Sequence, residues 1–149
     1  MLGDLNINAG QRALCEAYSQ TASCYSFRFD AFPDQDATRQ RLVTHGAEIA
    51  PLFLNFDGLG LETNPFVGAG QGYRDLARLM GLFWASFIAH ADPNVGLEGM
   101  GRTRWPAYSA ERPVNLVMNE SGVAWTESDT YRVEAMKLIN DVQHSVLDK

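Results

Sequence analysis

The pattern of hydrophobic and polar positions changes from helical to extended within the first thirty residues. Residues 11–19 place apolar side chains four positions apart, which predicts a short helix. Residues 24–31 alternate aromatic side chains with small or polar ones, which predicts a strand with one aromatic face. Pro33 ends this pattern, and a polar loop is expected from there to His45.

The clearest helical pattern covers residues 73–90. Its apolar side chains recur at spacings of three and four, at Leu76, Met80, Phe83 and Phe87. Further apolar positions widen this stripe, so we expect burial on more than one side. Residues 91–94 (ADPN) should end the helix, because proline and its predecessor resist helical geometry. The preceding residues 57–72 are rich in glycine and predict a loop.

The last part of the chain predicts a hairpin and a helix. Residues 114–118 and 123–126 are apolar segments on either side of the turn sequence NESG. Ser128 or Asp129 is then expected to cap a final helix with one apolar face. One strand and one hairpin give too little sheet to cover the helices. We therefore predict a combination of helices with few strands, in which residues 1–149 are part of a larger domain.

Composition excludes some classes of function. The 149 residues are 46% apolar and 20% charged, as in globular proteins, and the formal charge of −6 argues against a nucleic-acid partner. No apolar run reaches the ~20 residues needed to span a bilayer. The start, MLGD, lacks the features of a signal peptide. We expect that the chain stays inside the cell or that its amino-terminal part is missing.

Cys15 and Cys24 leave two interpretations open. They could form a bridge across the turn between them, but we favour two free, mostly buried thiols. A glycosylation triplet, Asn119-Glu120-Ser121, would matter only in a secreted protein.

His45, in the segment LVTHGAEI, is the candidate catalytic residue. It precedes a glycine that could orient the backbone, and an imidazole exchanges protons near neutral pH. Taken alone, this segment is more typical of an ordinary loop histidine. His90 fits a helix carboxyl end, and His144 is expected to be solvated. No pair of histidines has metal-ligand spacing, and residues 68–72 (GAGQG) do not match a nucleotide-binding pattern, so we predict neither metal nor cofactor.

Four segments in order carry a family resemblance. VTHGAEI, PLFLNF, LMGLFWASFIAHADPN and RWPAY resemble the carboxyl-terminal third of type-B carboxylesterases, the α/β-hydrolases that include cholinesterases and fungal esterase-lipases. The similarity extends from about Asp4 to the end of the chain. It implies the carboxyl-terminal fragment of an α/β-hydrolase fold, with long packing helices and a terminal hairpin and helix.

By this resemblance, His45 corresponds to the histidine of a serine–acid–histidine triad. In this fold the serine and the acid precede the histidine, yet no G-x-S-x-G occurs here. Glu48 matches a structural glutamate of the family rather than the triad acid. We therefore expect a chain that is inactive alone, needs a complementary amino-terminal part, and acts on carboxylic esters only in the intact enzyme.

Two further expectations follow from the resemblance. The large aromatic side chains Phe83, Trp84 and Phe87 should be partly exposed when most of the family's sheet is missing. The family also suggests secretion, although the chain has no signal sequence of its own. The alternative function is a non-catalytic interaction module, like the cholinesterase-like adhesion proteins.

Overall fold

A computed structural model describes residues 3–33, 43–98 and 103–147. The polar loop predicted ahead of His45 falls mostly in residues 34–42, which lie outside the described residues. Residues 99–102 also lie outside the described residues.

The described residues form four α-helices and three strands. A π-helical segment, Asp4–Asn8, leads into α1. The elements are then α1 (Ala9–Tyr18), β1 (Ser26–Phe29), α2 (Ile49–Leu52), α3 (Gln71–His90), β2 (Val114–Met118), β3 (Ala124–Ser128) and α4 (Val133–Leu147). The predicted order of helix, strand, long helix, hairpin and helix is confirmed.

The long helix α3 closely matches its predicted range. It begins after Gly70, which has extended backbone geometry, and ends where Ala91 adopts the left-handed conformation with φ of 55°. The amide of Ala91 donates to the carbonyl of Phe87 at 2.8 Å, which closes the last turn. The buried side chains are Tyr73, Leu76, Ala77, Leu79, Met80, Phe83 and Ser86. The predicted burial of the apolar stripe is confirmed in part, because Leu82, Phe87 and Ile88 at its margin are exposed.

The strands form a small mixed sheet in the order β1-β2-β3. β1 runs parallel to β2, because contacts advance in the same direction along both: Ser26 Oγ donates to Asn115 Oδ1 at 2.6 Å, and the Asp30 amide donates to the Met118 carbonyl at 2.8 Å. β2 and β3 form the predicted hairpin, whose turn includes Gly122 with φ of 75°.

The first strand is shorter than the aromatic alternation predicted. Cys24 lies outside β1 and instead forms an isolated antiparallel bridge with Tyr108. Its carbonyl accepts from the Tyr108 amide at 2.8 Å. The backbone of Cys24 therefore pairs with a different segment from the one beside β1, which ends the regular strand.

The prediction of two free thiols was wrong. Cys15 and Cys24 form a disulfide with a Cα–Cα distance of 5.7 Å. Cys15 lies in α1, and the turn after the helix brings Cys24 back to it. Local sequence could not decide between the two alternatives, because the pairing depends on how sharply the chain reverses after Tyr18.

The predicted cap of the last helix was also wrong. α4 begins at Val133, four residues beyond Asp129. The Asp129 carboxylate is instead bound by the Arg12 guanidinium, with Arg12 Nε to Asp129 Oδ2 at 2.8 Å and Nη2 to Oδ1 at 2.5 Å. The carboxylate of Asp129, which the local sequence predicts as a helix cap, therefore binds the buried guanidinium of Arg12 from a distant part of the sequence.

The chain divides into two compact units. The first comprises the described parts of 1–26, 106–115 and 127–149. It contains the disulfide, the Arg12–Asp129 pair and a second ion pair of 2.7 Å between Arg132 Nη1 and Asp4 Oδ2. Charged contacts between its ends therefore supplement a modest apolar core.

The second unit comprises the described parts of 27–105 and 116–126 and has an aromatic core. The Trp105 ring lies 5.4 Å from that of Phe83 and 5.2 Å from that of Trp84, measured between centroids. Phe27 meets Trp84 edge-on at 4.9 Å. Phe83 is only 1% exposed, so the expectation that it would be partly exposed was wrong. Phe87 is exposed as predicted.

Candidate catalytic histidine site

His45 opens a four-residue turn that leads directly into α2. The turn is held by two backbone hydrogen bonds, from the Ala47 amide to the Thr44 carbonyl and from the Ile49 amide to the Gly46 carbonyl, both 3.1 Å. The His45 side chain is exposed. The structure therefore presents the imidazole at the surface of the second unit rather than in its core.

Gly46 fixes the geometry of this turn. Its φ of 83° lies in the left-handed region, which glycine adopts without the steric cost that other residues incur. A Cβ at this position would meet Ile49 Cδ1 at 3.5 Å, so backbone conformation rather than space requires the glycine. Gly46 thus shapes the turn that begins at His45, and its role in orienting the imidazole stays a prediction.

The short helix α2 anchors the turn to α3. Ala50 and Pro51 are buried, and the Leu54 side chain lies over Gly81 of α3, where a Cβ would be 3.4 Å from Leu54 Cδ1. Leu54 itself has φ of 53°, a conformation that branched apolar residues seldom adopt. The packing of α2 on α3 therefore fixes the position of the turn that contains His45.

No acid is paired with His45 in the part of the chain that the structure describes. Glu48 makes no hydrogen bond to the imidazole there; its backbone carbonyl accepts from the Leu52 amide at 2.9 Å and so begins α2. A triad histidine needs a carboxylate that fixes its tautomer. Glu48 does not fill that role in this geometry.

The remaining histidines are not brought to His45. His90 is the exposed last residue of α3, the position predicted for it. The side chain of His144 lies outside the described residues. Among the residues described, no group of three or more His, Cys, Asp or Glu could hold a metal ion.

Gly72, the last glycine of the glycine-rich sequence 57–72 and the second residue of α3, serves a packing role. Gly70 precedes the helix, and a Cβ on Gly72 would lie 2.2 Å from the Glu120 carbonyl oxygen in the β2–β3 turn. Glycine at 72 thus allows two backbones to approach closely.

Ser86 is buried, and its hydrogen-bond partners indicate a structural role rather than that of a nucleophile. Ser86 Oγ donates to the Asp92 and Val95 carbonyls at 2.7 and 3.0 Å, which ties α3 to the loop after it. No imidazole within the described ranges activates it. Ser86 is therefore a structural residue.

The motif residues that carry the resemblance are largely structural. The side-chain amide of Asn94 forms two hydrogen bonds with the backbone of Trp105. Asn94 Nδ2 donates to the Trp105 carbonyl at 2.9 Å, and the Trp105 amide donates to Asn94 Oδ1 at 2.7 Å. Both motifs are visible in the sequence, but their pairing is not, because Asn94 and Trp105 are eleven positions apart. Their contact stabilises the aromatic core of the second unit.

An open cavity of about 310 Å³ lies elsewhere in the second unit. Its described lining includes the exposed pair Arg78 Nη1–Asp75 Oδ1 at 2.8 Å, and His45 is not part of it. An exposed pair of this kind is worth little energy and selects no particular ligand. The cavity is separate from the candidate catalytic histidine.

Comparisons with known proteins relate this arrangement to esterases. No protein-family model matches the chain, and no curated protein matches its sequence. Among solved structures, a PNB esterase matches with a TM-score of 0.64 and 22% identity, over 85% of this chain and 23% of its own. The carboxylesterase EST55 of Geobacillus stearothermophilus at pH 6.2 matches with a TM-score of 0.60 and 26% identity, over 84% of this chain and 23% of its own. A thermophilic PNB esterase gives a TM-score of 0.65 at 20% identity.

Two facts accompany these matches. The chain spans less than a quarter of the length of the first two esterases that it resembles. Within the described residues, no helix has both the length and the apolar character needed to cross a bilayer. The small mixed sheet, the order of helices and strands and the esterase matches together support the resemblance seen in the sequence: the chain has the fold of part of a carboxylesterase-like α/β-hydrolase.

Proposed function

We propose that the chain supplies the catalytic histidine, His45, of a carboxylic-ester hydrolase that works by a serine–acid–histidine mechanism. The single observation that carries this proposal is the match of 84% of the chain to a carboxylesterase of which it covers only 23%. In the proposal, residues 1–149 are the carboxyl-terminal part of one domain, and an amino-terminal part supplies the serine, the acid and the oxyanion hole.

The chemistry assigned to His45 follows from its side chain. The neutral imidazole accepts the proton of the serine hydroxyl as the oxygen attacks the ester carbonyl, and then donates it to the leaving alcohol. Exposure of His45 on a turn that Gly46 holds supports this role, because the ring is accessible to a second surface. Without the nucleophile, the same imidazole has no hydroxyl to activate, so the isolated chain is expected to be inactive.

Exposed apolar side chains support a complementary partner. In the second unit, Phe53 is 74%, Leu59 78% and Ile88 81% exposed. Large apolar groups left in water favour association with another surface. The proposed partner is the amino-terminal part of the same fold.

The exposed residues also favour the alternative, a non-catalytic interaction module. Such a module uses its apolar surface for binding and has no need of His45. The two functions therefore differ in what a change at His45 does to ester hydrolysis.

The test uses a short-chain p-nitrophenyl ester. The purified chain alone should show no His45-dependent turnover. When it is joined to or co-expressed with a complementary segment carrying G-x-S-x-G, hydrolysis should appear, and His45→Ala should lower kcat by roughly 10²–10⁴-fold.

His90→Ala is the matched control, since His90 is also exposed but lies at the end of α3. It should leave kcat unchanged. Hydrolysis that survives His45→Ala would contradict the assigned role. His45-dependent turnover by the chain alone would contradict the need for a second part.

A further inference from the structure

The turn between β2 and β3 contains a potential modification site. Asn119 is the only asparagine in the sequence followed two residues later by serine or threonine. The triplet Asn119-Glu120-Ser121 has the acceptor pattern for an N-linked glycan. Ser121 is exposed, Asn119 is half-buried, and the Gly122 amide donates to the Asn119 carbonyl at 3.2 Å to close the turn. The triplet therefore lies in the surface turn that a bulky glycan requires.

The Asn119 side chain is held in a way that leaves its nitrogen available. Oδ1 accepts from the Ser121 amide at 3.0 Å and from Ser121 Oγ at 2.5 Å. Nδ2, the atom to which a sugar would be joined, donates no hydrogen bond to any residue that the structure describes. A glycan on Nδ2 therefore disrupts no described contact of the folded chain.

The disulfide is an independent observation that points to the same cellular compartment. Cys15 and Cys24 are the only cysteines of the chain, and both are used in this bond. Disulfides persist in secreted proteins and in the lumen of the secretory pathway, and are rare in the reducing cytosol. N-linked glycans are attached in that same oxidising lumen, so the two features predict one route.

The surroundings of the turn also suit a sugar. Val123, 60% exposed, follows the triplet directly, and Trp125 on β3 is exposed as well. Apolar side chains at a hairpin end promote association with other chains. A hydrophilic glycan nearby would reduce such contacts.

We propose that Asn119 carries an N-linked glycan, transferred while the chain is in an oxidising secretory compartment. Nδ2 forms a bond to the anomeric carbon of an oligosaccharide, and the bond between that carbon and the pyrophosphate oxygen of a lipid-linked donor breaks. Nδ2 loses one proton and the lipid pyrophosphate leaves; nothing is oxidised or reduced. This proposal does not depend on ester hydrolysis and holds equally for an interaction module.

The experiment expresses the full chain behind a secretion leader in yeast and measures its intact mass before and after treatment with peptide N-glycosidase. The wild-type chain and Ser121→Thr, which keeps the acceptor pattern, should lose one glycan mass on treatment. Asn119→Gln and Ser121→Ala, which remove the pattern, should show no change. Peptide mapping without reductant should find the Cys15–Cys24 bond in the glycosylated fraction.

Cell-retained protein is measured in the same way, because glycan transfer does not require that the chain leave the cell. No mass change in either fraction of the wild-type chain would overturn the proposal. So would free thiols in a glycosylated chain, since the compartment argument would then fail. Peptides from the protein in its natural source provide the last check: an unmodified Asn119 there refutes the assignment.

Discussion

At the scale of single residues, two helical glycines show how surroundings decide a substitution. Gly72, near the start of α3, lies against the β2–β3 turn, where a Cβ would be 2.2 Å from the Glu120 carbonyl oxygen. Gly10, in α1, has no atom within 4 Å of an added Cβ. Backbone atoms cannot move aside as a flexible side chain can, so the same change should have opposite effects at these positions.

We expect Gly72→Ala to lower the free energy of unfolding by roughly 1–3 kcal/mol, because it overpacks a close backbone contact. Gly10→Ala should be neutral or stabilising by about 0.5–1 kcal/mol, since alanine is the better helix former. Urea denaturation followed by circular dichroism measures both. Equal effects of the two substitutions would contradict the close approach at Gly72.

The Arg12–Asp129 pair is the second feature at this scale. Burial acts to raise the pKa of Asp129, but the hydrogen bonds and charge of Arg12 outweigh it and lower the pKa. A carboxyl group with a lowered pKa contributes stability above its unfolded value of about 3.9, and that contribution is lost as pH falls through the folded pKa. The two residues are 117 positions apart, so no local pattern reveals the pair.

We expect Asp129→Asn to destabilise the chain by roughly 1.5–3 kcal/mol at neutral pH, because charge-assisted hydrogen bonds to Arg12 are lost. The variant should lose less stability than the wild type between pH 5 and about 3, since it lacks this carboxyl. Thermal unfolding across that range measures the difference. Asp141→Asn, on α4, is the control and should follow the wild-type pH dependence. Parallel curves for wild type and Asp129→Asn would exclude the linkage.

At the scale of elements, the hydrophobic periodicity predicted the positions of the long helix and the strands more accurately than it predicted where they begin and end. The helix α3 and the strand β2 match their predicted ranges closely, whereas β3 begins one residue later and ends two residues later than the predicted range 123–126. β1 is shorter because Cys24 pairs with Tyr108, and α4 starts later because Asp129 binds Arg12. A helix or strand ends where its backbone or its capping side chain binds a distant residue instead. The sequence close to that end does not reveal such a partner.

The disulfide should stabilise the turn that connects α1 to β1. It joins residues nine positions apart, and closing a short loop of this kind is typically worth about 2–4 kcal/mol. We expect reductant to lower the urea midpoint of the wild-type chain by a corresponding amount. The double variant Cys15→Ala/Cys24→Ala should unfold at that lower midpoint with or without reductant. A wild-type midpoint insensitive to full reduction would contradict the stabilising role.

At the scale of the whole molecule, the two compact units each leave apolar side chains in contact with water. Phe53 and Ile88 in the second unit are more exposed than core packing would allow. Burial of a large apolar side chain is worth roughly 1.5–3 kcal/mol, so a few such residues favour association measurably. The chain alone is therefore expected to self-associate or to bind a complementary partner.

We expect the chain to form concentration-dependent oligomers in sedimentation velocity experiments. Phe53→Ser combined with Ile88→Ser should shift the distribution toward monomer. Leu14→Ser combined with Tyr18→Ser, at exposed apolar positions of α1, is the control and should change it less. A monomer at all concentrations would refute the expectation that these side chains seek a partner.

Some features of the candidate site could be predicted from the sequence, and others are seen only in the structure. The sequence identified His45 and Gly46, because a histidine–glycine pair between two apolar segments is a local pattern and the ordered motifs resemble those of esterases. It missed the contact of Asn94 with Trp105 and the seating of Leu54 on Gly81, since both join residues separated by loops. The assignment of His45 as a catalytic base remains a prediction, because its nucleophile and acid would come from another part of the fold.

By itself, the sequence determined the order of the elements, the apolar periodicity of α3 and the resemblance to carboxylesterases. These properties depend on hydrophobic periodicity and on the order of motifs, both of which can be read directly from the sequence. Only the tertiary structure decided that the two cysteines pair, that Asp129 binds Arg12 rather than capping α4, and that Phe83 is buried in the second unit. The physical reason is common to all three. Each depends on a contact between groups that only the fold brings together, so the local sequence does not specify it.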